Sequence, residues 1–265
     1  MSKIGNNHTL RSAWRLGRAT WKAFRPNWLS YAKILAVVSV PINLLSLFGS
    51  LTTDATMNAY TSIASIVMNV ALIWAIVRAE KTGEVPRISS SYYDGSVAIV
   101  RYLLVTVLLV LMLLPAAFAA AIYLASMSSI NTTSSLPEQL LIGTVCVLIA
   151  LPSFWLIIRF GLAPIAAVDT GLPPIAALRY ARNITIGHFW STLAHYALLG
   201  VYIICLAIPI ALITALLSFL KLGPIPTIFF QLATTFIVLP LANIYLLKLM
   251  HNLDQQSRIV TDGNE

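Results

Sequence analysis

The chain has 265 residues, 58% of them hydrophobic and 10% charged, with a mean hydropathy of +0.84 and a formal charge of +8. Soluble domains carry about 25% charged residues, so this composition argues against a soluble globular protein. The charges are gathered at the ends of apolar runs of 20 residues or more, each able to cross a hydrocarbon core of roughly 30 Å as a helix.

Charge placement also decides what the excess of Lys and Arg meets. Cations flanking apolar runs mark the cytoplasmic side of a membrane and attract anionic headgroups, so lipid is the expected partner and nucleic acid is not. Cys146 and Cys205 fall inside apolar runs, as small buried hydrophobes, and indicate neither a disulfide framework nor a metal site. The first apolar run begins near Trp28. The basic segment ahead of it is too long for an ordinary cleavable signal peptide, so the N-terminus is expected to be retained.

Residues 8–25 carry the clearest amphipathic pattern. Leu10, Ala13, Trp14, Gly17, Trp21 and Phe24 recur at spacings of three and four, and Arg11, Arg15, Arg18, Lys22 and Arg25 form a second stripe beside them. That pattern predicts a helix lying in the headgroup layer with its rings down and its cations out. Pro26 and Asn27 are expected to end it, making residues 1–28 a cytoplasmic segment.

Six spans follow, at 29–50, 59–78, 97–126, 139–159, 189–218 and 225–248, with 160–168 as a helical extension or an interfacial piece. They define an all-α, polytopic membrane domain over 29–248 and a tail over 249–265. The connections at 51–58 and 127–138 contain Asp54 and Glu138 but no Lys or Arg. The cations outside the spans fall in the N-terminus, the 79–96 loop (Lys81, Arg87), the 169–188 connection (Arg179, Arg182) and the tail (Arg258), with Lys221 the sole one on the other side, so the positive-inside rule puts both termini in the cytoplasm.

The spans echo one another. Leu10-Arg11-Ser12-Ala13 recurs as Leu178-Arg179-Tyr180-Ala181, and Pro41 recurs as Pro209, each 168 positions on (178 − 10, 209 − 41). Trp74 and Arg78 close the second span as Trp155 and Arg159 sit in the fourth. Three repeated hairpins are therefore expected, each preceded by an interfacial segment. Prolines 41, 115, 152, 209 and 240 fall inside five of the six spans. Each removes a helix hydrogen bond, and the freed carbonyl must be recovered by a neighbouring helix or by Ser and Thr side chains. The small residues Ala116, Ala117, Ala119, Ala120 and Ala121 permit close packing of another helix.

Catalytic chemistry is poorly provided for. All nine acids lie in loops, in tails or at span ends, and no metalloprotease, phosphate-loop, paired-cysteine or nucleophile-elbow motif occurs. No catalytic, metal or cofactor residue is assigned. His195 lies within the fifth span and is expected to bond a neighbouring helix; a headgroup enzyme would instead need Asp169 near His188 or His195. Arg78, Arg101, Arg159 and Lys248 sit at cytoplasmic span ends, where snorkelling to phosphates accounts for them. Apolar residues continue for nine positions beyond Arg159, so an interior position with Asp169 or a lipid phosphate as partner is also open.

The stretch from Arg159 to Trp190 carries a family resemblance. Phe160 to Pro164, Asp169, Gly171, Ala177-Leu178-Arg179, Ile184-Thr185, Gly187 and Phe189-Trp190 resemble the signature of the membrane domains found with bacterial glycerophosphodiester phosphodiesterases and of related six-span inner-membrane proteins. That signature reads acid-x-Gly, then Ala-Leu-x-Arg-Ser-x-x-Leu-Thr-x-Gly-x-Phe-Trp, with Tyr180 here in place of Arg and Ala181 in place of Ser. The resemblance implies a helical domain of a bacterial cytoplasmic membrane. It brings no phosphodiesterase activity, because in that family the chemistry belongs to a separate soluble domain.

These readings lead to a non-enzymatic integral protein of the cytoplasmic (inner) membrane, a lipid-associated scaffold or a component binding a membrane-protein partner or a second copy. Arg11, Arg15, Arg18, Lys22, Arg25, Arg179 and Arg182 are its expected headgroup contacts. The alternative is a small transporter or lipid-translocating protein with a cavity lined by Arg159, Asp169, His195 and Asn69.

Overall fold

The computed structural model describes residues 5–47, 55–129, 136–221 and 223–262, and the side chains of 13–44, 59–126, 141–221 and 223–257. Among the described residues every regular element is helical: α1 (Gly5–Leu47), α2 (Ala55–Thr82), α3 (Ile88–Met112), α4 (Leu114–Ser129), α5 (Leu136–Phe160), α6 (Ala163–Asp169), α7 (Pro174–Thr185), α8 (Phe189–Phe219), α9 (Ile225–Ala233), a π-helical turn (Thr234–Val238) and α10 (Leu239–Asp262). Five helical segments are long and apolar enough to cross a membrane: α2, α3, α5 with α6, α8, and α9 with α10. The later part of α1, which carries Lys33, Pro41 and Asn43, is not among them. The side chains of Arg11, Asp54, Glu138 and Arg258 lie outside those described.

The core gathers around α2, the most buried of the five. Val70, Leu72, Ile73 and Ile76 of α2 share one buried cluster with Leu35 of α1, the inner faces of α6 and α7, and α10 from Leu241 to Leu253. α10 does not stop at the expected span end. Leu249, Met250 and Leu253 are 0–1% exposed, so the first residues beyond 248 belong to the packed core.

Pro26 does not end α1, which runs unbroken through it. Ala13, Gly17, Thr20, Phe24, Tyr31, Ile34 and Leu35 are buried along one continuous stripe on both sides of the proline. Helical stability in proteins comes mainly from packing of such a face, and here the packing overrides the local breaker. The expected interfacial helix and the first span are one element. Its sequence counterpart behaves otherwise: α7 and α8 are separated at Ile186–His188, where Gly187 takes φ +81°. The equivalent positions 18–20 of α1 are helical.

The expected third span is two helices, broken at Leu113 two residues ahead of Pro115. The buried Ser153 hydroxyl of α5 enters the gap. It donates to Met112 O (3.2 Å) and accepts from Ala116 N–H (3.2 Å). In an unbroken helix those two backbone groups would bond each other, so a side chain from a neighbouring helix has been inserted into the ladder. The sixth span absorbs Pro240 differently, through the wider π-helical turn just before it, where Leu239 N–H reaches back to Thr234 O.

The stretch 160–168 is not a continuous extension of α5. The chain turns at Gly161–Leu162 and then forms α6, whose Ala163, Ile165, Ala166, Ala167 and Val168 are all buried. A Cβ on Gly161 would lie 2.6 Å from Ile157 O and 2.8 Å from Tyr196 Oη. The Gly161→Ala variant is therefore expected to unfold at lower temperature, losing roughly 1–3 kcal/mol as overpacked cores do. An unchanged unfolding curve in detergent would show that the turn relaxes freely.

Candidate functional site

The four residues expected around a cavity are each engaged separately. Arg159 places its guanidinium 4.6 Å from the ring centroid of Trp155, one turn earlier on α5. Arg78 over Trp74 (5.9 Å) and Arg18 over Trp14 (5.6 Å) repeat the same four-residue spacing. Trp14 and Trp155 are exposed while Trp74 is partly buried against the core, and in each pair the Arg folds over a Trp of its own helix, as interfacial anchors do.

Asn69 belongs to a polar chain inside the bundle. Its Nδ2 donates to Tyr102 Oη of α3 (2.7 Å), and its Oδ1 accepts from Asn243 Nδ2 of α10 (2.9 Å). His195 is 3% exposed. Its Nδ1 lies 2.7 Å from Ser191 O, which can only accept, so Nδ1 carries the proton. The Tyr245 hydroxyl donates to His195 O (3.2 Å). His195 is thus tied to α10 through its backbone, while its ring bonds its own helix.

Asp169, at the end of α6, organises a charged cluster that the sequence pattern did not show. Its side chain is 7% exposed, with Lys81 Nζ 2.7 Å from Oδ1 and His251 Nε2 2.9 Å from Oδ2. Lys81 also donates to Asp169 O (3.2 Å). Glu80 completes the ring of charge, 3.5 Å from Lys248 Nζ and 3.9 Å from His251 Nδ1. Nearby, Arg101 donates to Gly171 O (2.7 Å) and holds the left-handed turn that leads to α7. The cluster clamps the ends of α2 and α6 to the middle of α10.

Asp169 and Glu80 sit on either side of the His251 imidazole, 2.9 Å from Nε2 and 3.9 Å from Nδ1. With a carboxylate facing each ring nitrogen, the imidazole links α10 to both α6 and α2. His188 and His195 are not the histidines that meet Asp169. This is a clasp.

A groove lies between α1 and α8. Trp14, Gly17 and Trp21 form one wall, with Leu198, Val201 and Cys205 on the other, around about 440 Å³ of space. Among the described residues, Arg18 and Lys22 are its only charged lining. Neither α1 nor α8 contains an Asp or Glu. Trp14, Trp21 and Trp28, each seven residues from the next, stand 57%, 45% and 52% exposed along α1. On α7, Arg179 and Arg182 are exposed opposite the buried Ala177, Leu178, Ala181 and Ile184.

Helices of this length and hydropathy, with aromatic and basic side chains at their ends, define a helical membrane protein. Comparison of the chain with protein-family models, with curated proteins and with solved structures finds no match to any of them.

Proposed function

We propose that this chain is a non-enzymatic, lipid-associated component of a bacterial cytoplasmic membrane, with both termini in the cytoplasm and α1 supplying the first of six spans. The observation that carries the reading is the exposed Trp14–Trp21–Trp28 line with Arg15, Arg18, Lys22 and Arg25 beside it. Amphipathic rings and cations on one helix suit the headgroup level of an anionic leaflet. The three Trp–Arg stacks support it, since they set guanidinium groups against aromatic faces at helix ends or on α1. A translocation pathway finds less support, because Arg159, Asp169, His195 and Asn69 have separate partners. The role is that of a scaffold on which lipid and a membrane partner, another protein or a second copy, are held together.

Each basic residue near an anionic surface contributes about 1 kcal/mol. Full-length protein purified from membranes of mixed composition should accordingly retain anionic phospholipid several-fold over zwitterionic. Changing Arg15, Arg18, Lys22 and Arg25 together to Gln should reduce that enrichment several-fold, measured by mass spectrometry of the co-purified lipids. Equal retention of the two lipid classes by the wild-type protein would overturn the reading.

A further inference from the structure

We infer that the groove between α1 and α8 is a binding site for one phospholipid of net negative charge, its acyl chain between the helices and its headgroup on Arg18 and Lys22. The inference rests on the lipid-associated reading and assigns it a place. Charge complementarity selects the occupant. The groove is walled by Trp14, Trp21, Leu198, Val201 and Cys205, and its charged lining is two cations one helical turn apart. No acid on either helix is available to neutralise them. About 440 Å³ falls in the range of roughly 300–1,000 Å³ typical of small-ligand pockets. An alkyl chain ending in a phosphate satisfies both halves of such a site.

The lining chemistry disfavours other ligands. A metal ion would find no carboxylate or imidazole there, and a sugar or nucleotide would find few hydrogen-bond partners on the apolar wall. A zwitterionic lipid would fill the groove but bring a cation toward Arg18 and Lys22. Arg18 already lies 5.6 Å from the Trp14 ring centroid, so the guanidinium is held against the aromatic wall of the groove.

The experiment uses the full chain in mild detergent, titrated separately with phosphatidylglycerol and phosphatidylcholine and read by native mass spectrometry. One phosphatidylglycerol is expected to remain bound at collision energies that strip phosphatidylcholine. Val201 is 59% exposed and Cys205 is also exposed, so the double variant Val201→Phe, Cys205→Phe fills the groove without touching the core or the charge. It should lose that retained lipid while keeping the bulk anionic enrichment of co-purified lipid. Arg18→Gln with Lys22→Gln should leave a lipid bound but erase the preference at least several-fold.

Acyl-brominated phosphatidylglycerol locates the chain. In a background with Trp28, Trp74, Trp155 and Trp190 changed to Phe, it should quench Trp14 and Trp21 at several-fold lower mole fraction than brominated phosphatidylcholine. Selective retention that survives groove filling overturns the groove assignment and leaves the lipid-associated reading standing. Loss of all anionic enrichment in the wild-type chain would sink both. A dimer that persists in the Arg18, Lys22 variant and is lost on groove filling would identify a second copy as occupant instead.

Discussion

Replacing His251 by Ala is expected to lower the stability of the folded chain by about 1.5–3 kcal/mol, the range for a hydrogen bond to a charged group. Partial exposure of the ring favours the lower figure. The reason lies in what the substitution leaves behind. Asp169 is 7% exposed and keeps only Lys81, whose side chain is 56% exposed. Glu80 keeps only Lys248, at 3.5 Å. Lys81→Ala removes a largely solvated partner, so its expected cost is under about 1 kcal/mol. Thermal unfolding of the two variants in the same detergent orders them; a larger loss for Lys81→Ala would contradict the clasp as described.

The apolar runs made the helical membrane architecture legible, because hydrocarbon admits few alternatives to helices once charges are confined to run ends. The exposed cations of α1 and α7 were also legible, since a stripe at spacings of three and four needs no tertiary information. Pro26 was not. A proline reads locally as a stop, and only the buried stripe from Ala13 to Leu35 explains why α1 continues. Asp169 was singled out, yet its partners were hidden, because Lys81 stands 88 residues before it and His251 82 after. Nothing in local pattern connects them. His251 falls in the expected tail over 249–265, and becomes a clasp only because α10 continues past 248 and packs Leu249, Met250 and Leu253 into the core. The groove escaped notice for a related reason: its basic wall and its apolar wall come from helices nearly two hundred residues apart.

The break ahead of Pro115 offers the sharpest separation of local and tertiary causes. A proline at 115 leaves the carbonyl of Leu111 without its usual donor, and a helix alone would bend there without stopping. Here the Ser153 hydroxyl stands between Ala116 N–H and Met112 C=O, at 3.2 Å from each. One interhelical hydrogen bond in a membrane contributes about 0.6–1.7 kcal/mol, so Ser153→Ala should cost roughly 1–3 kcal/mol for the pair. Ser153 is 0% exposed, which leaves bulk water no direct route to compensate. Pro115→Ala should act in the opposite sense on that loss, since a regular turn lets Ala116 N–H bond Met112 O directly. The double variant is then expected to be more stable than the sum of the two single changes, by up to about 1 kcal/mol or more, as for residues sharing one network. Strict additivity in a thermal-unfolding double-mutant cycle would mean that the hydroxyl caps two helix ends fixed by other packing. Non-additivity would show that proline and serine together set the break, and with it the angle at which α4 packs on α5.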